Sequence, residues 1–256
     1  MSELIVKDKE IVVPGEELAA GLDFLPGIGT YRDGDKIVCA KLGLLHVDGR
    51  ALKVISLSGQ YNPKRGDTII GKVIDVAFSG WRIDTNSAYP AMLSMKDGVS
   101  EFVVRGADLT KYYDIGDNIV VTIINVTSQK LIDVSMKGLG LRKLIGGRLI
   151  KVNPHKVPRI IGKQGSMVSM IKQSTDCRIM VGQNGVVWIQ GTPENEIIAV
   201  NTIKKIEQES HVSGLTEKIK SYLEEITGKT LDSNAQSDHN NNGNENDSYE
   251  ADHNSR

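Results

Sequence analysis

Ile160-Ile161-Gly162-Lys163-Gln164-Gly165-Ser166-Met167 is the stretch on which the fold of the C-terminal half turns. Two glycines bracket a basic and an amide side chain, with apolar residues on either side. Upstream, residues 148–152 read as a strand, and residues 155–161 have room for one or two helical turns. Downstream, Ser166 is a natural helix N-cap. Met167, Met170 and Ile171 then stand at i, i+3 and i+4. Residues 177–181 and 186–190 read as strands joined around the hairpin dipeptide Asn184-Gly185. Thr192 caps a long helix, with Pro193 in its first turn and Glu194 and Glu196 near its positive end. Ile197, Val200, Ile203 and Ile206 mark its expected apolar stripe. The predicted order is β-α-α-β-β-α, and the glycine pair falls between the first two helices.

Glycine without a Cβ lets a backbone pass close to a sugar-phosphate chain. The amides that open the next helix point at phosphate, and Lys163 adds a charge. Ile160 and Ile161 are the expected apolar floor for bases. Such a loop is how a KH domain clamps a short single-stranded stretch. A lone G-x-x-G is weak, and its ordinary alternative is a helix–helix turn. Its placement between two helices in a basic segment makes it specific.

The charge distribution supports this. The chain of 256 residues has a net charge of −1, but residues 138–230 carry fourteen Lys/Arg against eight Asp/Glu, net +6. Within that segment Arg142, Lys143, Arg148, Lys151, Lys156, Arg159, Lys163, Lys172 and Arg178 are opposed only by Asp176. Cations of this kind dominate affinity for nucleic acid and make it salt-dependent. Residues 231–256 are acidic and Asn-rich, net −5, with almost nothing to bury. They are expected to be disordered.

The N-terminal half reads as short strands. Asp33-Gly34 and Asp48-Gly49 are hairpin dipeptides. Residues 66–137 hold five candidate strands, at 68–77, 81–85, 91–95, 118–127 and 131–136. Five strands in about 70 residues suit a Greek-key barrel of the OB type. Phe78, Trp81, Arg82 and Tyr89 lie where such a barrel presents its binding face, where aromatics stack on bases. Phe78 and Trp81 serve equally well as core.

Other chemistries find no support. No H-E-x-x-H, P-loop or Cys/His metal spacing is present, so no metal, cofactor or catalytic residue is assigned. Cys39 and Cys177 lie far apart, which excludes a disulfide framework and points to a reducing, cytoplasmic protein. No apolar run approaches the roughly 18 residues of a membrane span.

Residues 66–137 resemble an S1 RNA-binding domain, and residues 148–210 resemble a KH domain. The order, a β-rich domain, then S1, then KH, resembles the RNA-binding cap subunits of the archaeal exosome. Local phrases that carry the likeness are Val13-Pro14-Gly15-Glu16, Gly29-Thr30-Tyr31, Gly71-Lys72-Val73, Gly80-Trp81-Arg82-Ile83-Asp84 and the G-x-x-G loop. The resemblance implies a mainly β chain with a C-terminal α+β domain: a ring-docking domain at 1–64, an S1 barrel at 65–138 and a type I KH domain at 145–212. A C-terminal helix at 213–229 and the tail at 230–256 complete it. It implies a non-catalytic subunit of a trimeric cap, alone or mixed with a related cap protein. That cap sits on a hexameric ring of RNase PH-like subunits, recruits single-stranded, A-rich RNA 3′ ends and guides them into the pore for 3′-to-5′ degradation. The implied KH contacts are Arg159 to Gly165, Lys172 and Arg178. In the S1 domain, Arg105 joins Phe78, Trp81, Arg82 and Tyr89. Bacterial polynucleotide phosphorylase also carries KH and S1 domains, but in the opposite order and behind catalytic domains absent here. The remaining alternative is a free-standing S1/KH protein acting in translation or RNA metabolism.

Overall fold

A computed structural model describes residues 3–101, 104, 106–210, 212 and 214–229. Arg105 and the acidic tail lie outside the described residues. Among the described residues, seventeen strands and five α-helices fall into three groups. No helix among the described residues is long and apolar enough to cross a membrane.

The first group is all β. Its strands are β1 (Glu3–Leu4), β2 (Ile11–Val12), β3 (Glu17–Ala20), β4 (Leu25–Pro26), β5 (Thr30–Asp33), β6 (Lys36–Cys39), β7 (Gly43–Asp48) and β8 (Ala51–Ser56). They form two four-stranded sheets, β1-β3-β6-β5 and β2-β7-β8-β4. Both predicted hairpin dipeptides turn the chain, between β5 and β6 and between β7 and β8. Alternation along the strands sends Val12, Leu18, Ile37, Cys39, Leu45, Leu52 and Val54 into one core.

The second group is a closed barrel. Its strands are β9 (Thr68–Ala77), β10 (Gly80–Asp84), β11 (Ala91–Ser94), β12 (Asn118–Val126) and β13 (Ile132–Ser135), with helix α1 (Met95–Gly98) after β11. Neighbours run β9-β10-β11-β13-β12, and β12 returns to β9. Only β11–β13 is parallel. This is the five-stranded barrel the sequence predicts. A short β14 (Lys143–Leu144) extends β12. On β12, Ile119, Val121 and Ile123 fill the barrel, while Ile124 is 40 % exposed. Val120, Thr122, Ile124 and Val126 on one face of this strand and Ile119, Val121 and Ile123 on the other predict burial on both faces. Its outer face is covered at Val120, and a register shift between Ile123 and Asn125 turns Val126 back towards the core.

The third group has β15 (Arg148–Lys151), α2 (Val157–Ile161), α3 (Ser166–Thr175), β16 (Arg178–Val181), β17 (Val186–Gln190), α4 (Pro193–Gln208) and α5 (Leu215–Thr227). The antiparallel sheet order is β15-β17-β16. The helices cover one face over Val157, Ile160, Ile171, Val187, Ile189 and Ile203. Helix α5 buries Leu215, Ile219 and Leu223 in this same core. The buried stripe of α4 is Ala199, Thr202, Ile203 and Ile206, whereas Ile197, expected within it, is 51 % exposed. Thr192 caps α4 by accepting from the Asn195 amide. Ser166 is instead the first residue of α3, whose N-cap is Gly165.

The barrel covers the other face of β17. Trp188 packs with Ile70, Val120 and Leu144, its indole N–H donates to the Gly146 carbonyl at 2.7 Å, and Arg142 lies over its ring. Beside it the β16–β17 turn inserts Asn184, which is fully buried. Its amide donates to the carbonyls of Ile70 at 2.8 Å and Thr85 at 2.9 Å. Its own carbonyl accepts from the Asn86 amide at 2.9 Å. The Gln183 amide adds a bond to the Thr68 carbonyl at 2.9 Å. Removing a buried partner leaves the others unsatisfied, at about 1–3 kcal/mol per group. Asn184→Ala is therefore expected to destabilise the chain by about 2–3 kcal/mol and to split urea unfolding into two transitions. A single transition with an unchanged midpoint would contradict this coupling.

Candidate nucleic-acid interface

The G-x-x-G loop emerges where α2 stops. The Gly162 amide donates to the Pro158 carbonyl, ending the helix, and the chain turns at φ 77°, ψ 176°. That combination is open essentially to glycine alone. A Cβ there would meet the amide nitrogen and Cβ of Met167, both at 2.7 Å. Gly162 thus holds the end of α2 against the start of α3. Residues 163–165 form one tight turn, with Gln164 at φ 53° and Gly165 at φ 81°, both left-handed. Gly165 differs from its partner: a Cβ there would meet nothing within 4 Å. Its outer side is open to a ligand.

No side chain caps α3. The Ser166 amide already donates to the Lys163 carbonyl, so only the later amides of the first turn remain for an anion. Lys163 and Gln164 are exposed on the loop, and Lys172 and Arg178 are exposed beyond it. No ion pair among the described residues engages Lys163, Lys172 or Arg178. The rest of the basic run is partly committed. Lys143 pairs with Asp117, Arg148 with Glu196 at 3.6 Å, and Lys156 donates to the Glu207 carbonyl at 2.9 Å. Arg159 Nε donates to the Ser210 carbonyl at 3.0 Å, tying α2 to the end of α4. The free field is thus narrower than the linear count of cations suggests, and it centres on the loop.

Two expected contacts lie elsewhere. Ile160 is fully buried and points into the domain core, so it offers no surface to a base. Ile161, partly buried, retains an accessible side. In the barrel, Trp81 is fully buried. Its indole N–H donates to the Tyr113 carbonyl at 2.9 Å, and the Tyr113 ring meets it edge-on at 5.1 Å. It is core and drops out of the interface. Cys177 is buried, and burial pushes its thiol up, away from the reactive thiolate.

Phe78, Arg82 and Tyr89 stay on the surface. Phe78, 73 % exposed, sits in the β9–β10 turn, and Tyr89 in the β10–β11 loop. The five residues of β10 separate them, roughly 16 Å at the usual strand rise. Arg82 projects outwards between them and pairs with Asp75 at 3.2 Å. Opposite it on β11 stands Met92, 41 % exposed, which sequence reading missed. The cross-strand register could have found it, since Arg82 and Met92 share the outer face.

Known proteins match this arrangement along the chain. Residues 60–103 match the family described as RRP4, S1 domain, and residues 148–205 match the KH domain family. The exosome complex component Rrp4 of Methanothermus fervidus is 42 % identical over 221 residues, covering 86 % of this chain and 97 % of that one. Its counterpart in Thermococcus kodakarensis is 43 % identical over 227 residues, covering 87 % and 88 %. A crystal structure provisionally described as an RNA-binding protein of the exosome complex superposes with a TM-score of 0.59 at 32 % identity. It covers 65 % of this chain and 97 % of that chain. At this identity over nearly the whole length of those relatives, this chain belongs to the Rrp4 family of archaeal exosome components.

Proposed function

We propose that this chain is the RNA-binding, non-catalytic cap subunit of an archaeal exosome. It captures single-stranded 3′ ends, A-rich ones by preference, and hands them to a hexameric RNase PH-like ring for 3′-to-5′ degradation. The observation that carries this is the G-x-x-G turn: Gly165 leaves its outer side open beside an α3 start that no side chain caps, and Lys163 is exposed and in no ion pair among the described residues. Arg159, Ile161, Gly162, Lys163, Gln164, Gly165, Lys172 and Arg178 form the KH surface, and Phe78, Arg82 and Tyr89 the S1 surface. A cytoplasmic, trimeric cap follows from the family reading.

The N-terminal domain supplies a docking face. On the outer side of β2-β7-β8, Ile11 pairs across to Leu44 and Leu44 to Ile55. Ile11 is 62 % exposed and Ile55 56 %, and Ile28 and Val13 are exposed nearby in the fold. Such a row marks a protein contact rather than a solvent face. A tagged chain is expected to bring down near-stoichiometric ring subunits from native extract, and Ile55→Glu to lose them while keeping RNA affinity. Recovery of the wild type alone, or with ribosomes, would favour a free-standing RNA-binding protein.

A further inference from the structure

Where the three domains meet there is a cavity of about 370 Å³ that belongs to neither RNA surface described above. The segment between the first two domains contributes Gly59, Gln60 and Tyr61, the loop after β10 contributes Asp84, Asn86 and Ser87, and the KH domain contributes Pro154. The walls are fixed. Tyr61 and Ser87 pair as an isolated parallel bridge, and the Tyr61 hydroxyl donates to Asp67 at 2.6 Å. Asn86 is held through the buried Asn184 contact. Gln60, by contrast, is exposed, whereas the Ser87 hydroxyl is taken up by Thr85 and the Tyr89 backbone.

Basic residues flank the cavity. His155 follows Pro154, with its Nε2 3.6 Å from where a Cβ would stand on Gly59. Burial, then the charges of Lys41 and Lys64, push its pKa down. Lys41 precedes Leu42, whose carbonyl accepts from the Leu57 amide just before Gly59, and the Lys64 carbonyl accepts from the amide of Asp67, the partner of Tyr61; both lysines are exposed. None of the ion pairs among the described residues engages either. Asp84 is the one carboxylate lining the cavity, and Tyr61 its one phenol. The Gln60 amide and the Asp84 carboxylate over a flat proline wall suit the edge and face of one base. The volume lies in the range of small-ligand sites, roughly 300–1,000 Å³. The cations beside it suit the adjoining phosphates.

We propose that this junction holds one nucleotide of the RNA strand, its base in the cavity and its phosphates against Lys41 and Lys64. The proposal rests on the RNA-binding reading above. It also gives the strand a path. The turn at Pro154 runs directly into α2, whose far end is the G-x-x-G loop. Seven steps of about 1.5 Å lead from His155 to Gly162, about 10 Å, or roughly three stacked nucleotides. A strand clamped over four nucleotides by the loop therefore reaches the junction when it is a few nucleotides longer.

The test compares a four-nucleotide and a twelve-nucleotide single-stranded RNA of mixed sequence on the full chain, wild type against Lys41→Ala/Lys64→Ala. The double variant is expected to bind the short RNA unchanged and the long one five- to tenfold more weakly. Its log–log salt slope should fall by about 1.4, for two lost single-strand phosphate contacts. Gln60→Ala should weaken the long RNA without changing that slope. Equal binding of the long RNA by wild type and both variants would overturn the junction site while leaving the KH clamp standing. Competition by free AMP alone at the variant-sensitive site would assign the cavity to a mononucleotide and overturn the strand assignment. A wild type that binds neither RNA would overturn the RNA-binding reading itself.

Discussion

Gly165→Asp is expected to weaken binding of single-stranded RNA at least tenfold, about 1.4 kcal/mol, with the fold in place. The substitution puts a carboxylate where phosphate approaches the α3 amides. Nothing lies within 4 Å of its Cβ, so no neighbour has to move. The left-handed φ of 81° costs roughly 1–2 kcal/mol for a non-glycine residue, and aspartate is among those that tolerate it best. A negative charge at the positive end of α3 offsets part of that. Gly165→Ala, without the charge, should lose less affinity. Gly162→Asp is a poor probe, because its Cβ meets Met167 at 2.7 Å and any affinity loss mixes with damage to the fold. Fluorescence anisotropy beside thermal melting separates the two effects. Full affinity in a folded Gly165→Asp chain would show that the loop is not the clamp.

The second large effect is on stability. Trp81→Ala is expected to destabilise the S1 barrel by about 4 kcal/mol, in the usual range for a fully buried aromatic. It removes the largest fully buried side chain of the barrel, the edge-on contact with Tyr113 and a hydrogen bond. The Tyr113 carbonyl then needs another donor. Phe78→Ala, one turn away but 73 % exposed, should leave stability within about 0.5 kcal/mol and report on RNA alone. Urea unfolding of both variants checks this. A Trp81→Ala chain less than 1 kcal/mol weaker than wild type would contradict its core role.

The two variants show how far the sequence could be read. The G-x-x-G loop is legible because its chemistry is local: two glycines, a cation and helices on both sides. The barrel is legible through hairpin dipeptides and period-2 strands. Trp81 was harder only because aromatic type suggests a binding face. The alternation Trp81-Arg82-Ile83-Asp84 already places Trp81 with Ile83, inside, and Arg82 outside. Ile160 was misread because a five-residue helix is too short to show which side is buried. Ile203 and Ile206 of the α4 stripe are legible, and Ile197 falls off it because Ala199 and Thr202, neither strongly apolar, carry the rest.

Other features lie beyond local reading. Asn184 looks like ordinary hairpin chemistry, yet its partners Ile70 and Thr85 are 114 and 99 residues away. The one local hint was the unbroken apolar run Val186-Val187-Trp188-Ile189, which does not alternate and so signals a strand covered on both faces. The cavity at the junction has no sequence signal at all. Its residues come from three separate segments, and only the docking of the KH turn on the barrel brings them together.

The central claim is that this chain delivers RNA to a degrading ring. The most direct measurement is the phosphate-dependent decay of a single-stranded RNA by RNase PH-like ring subunits, with and without this chain, at RNA concentrations below saturation. Decay several-fold faster with the chain, and returned to the ring-only rate by Gly165→Asp, is the predicted result. Equal decay with and without the chain, or decay by the chain alone, would contradict it.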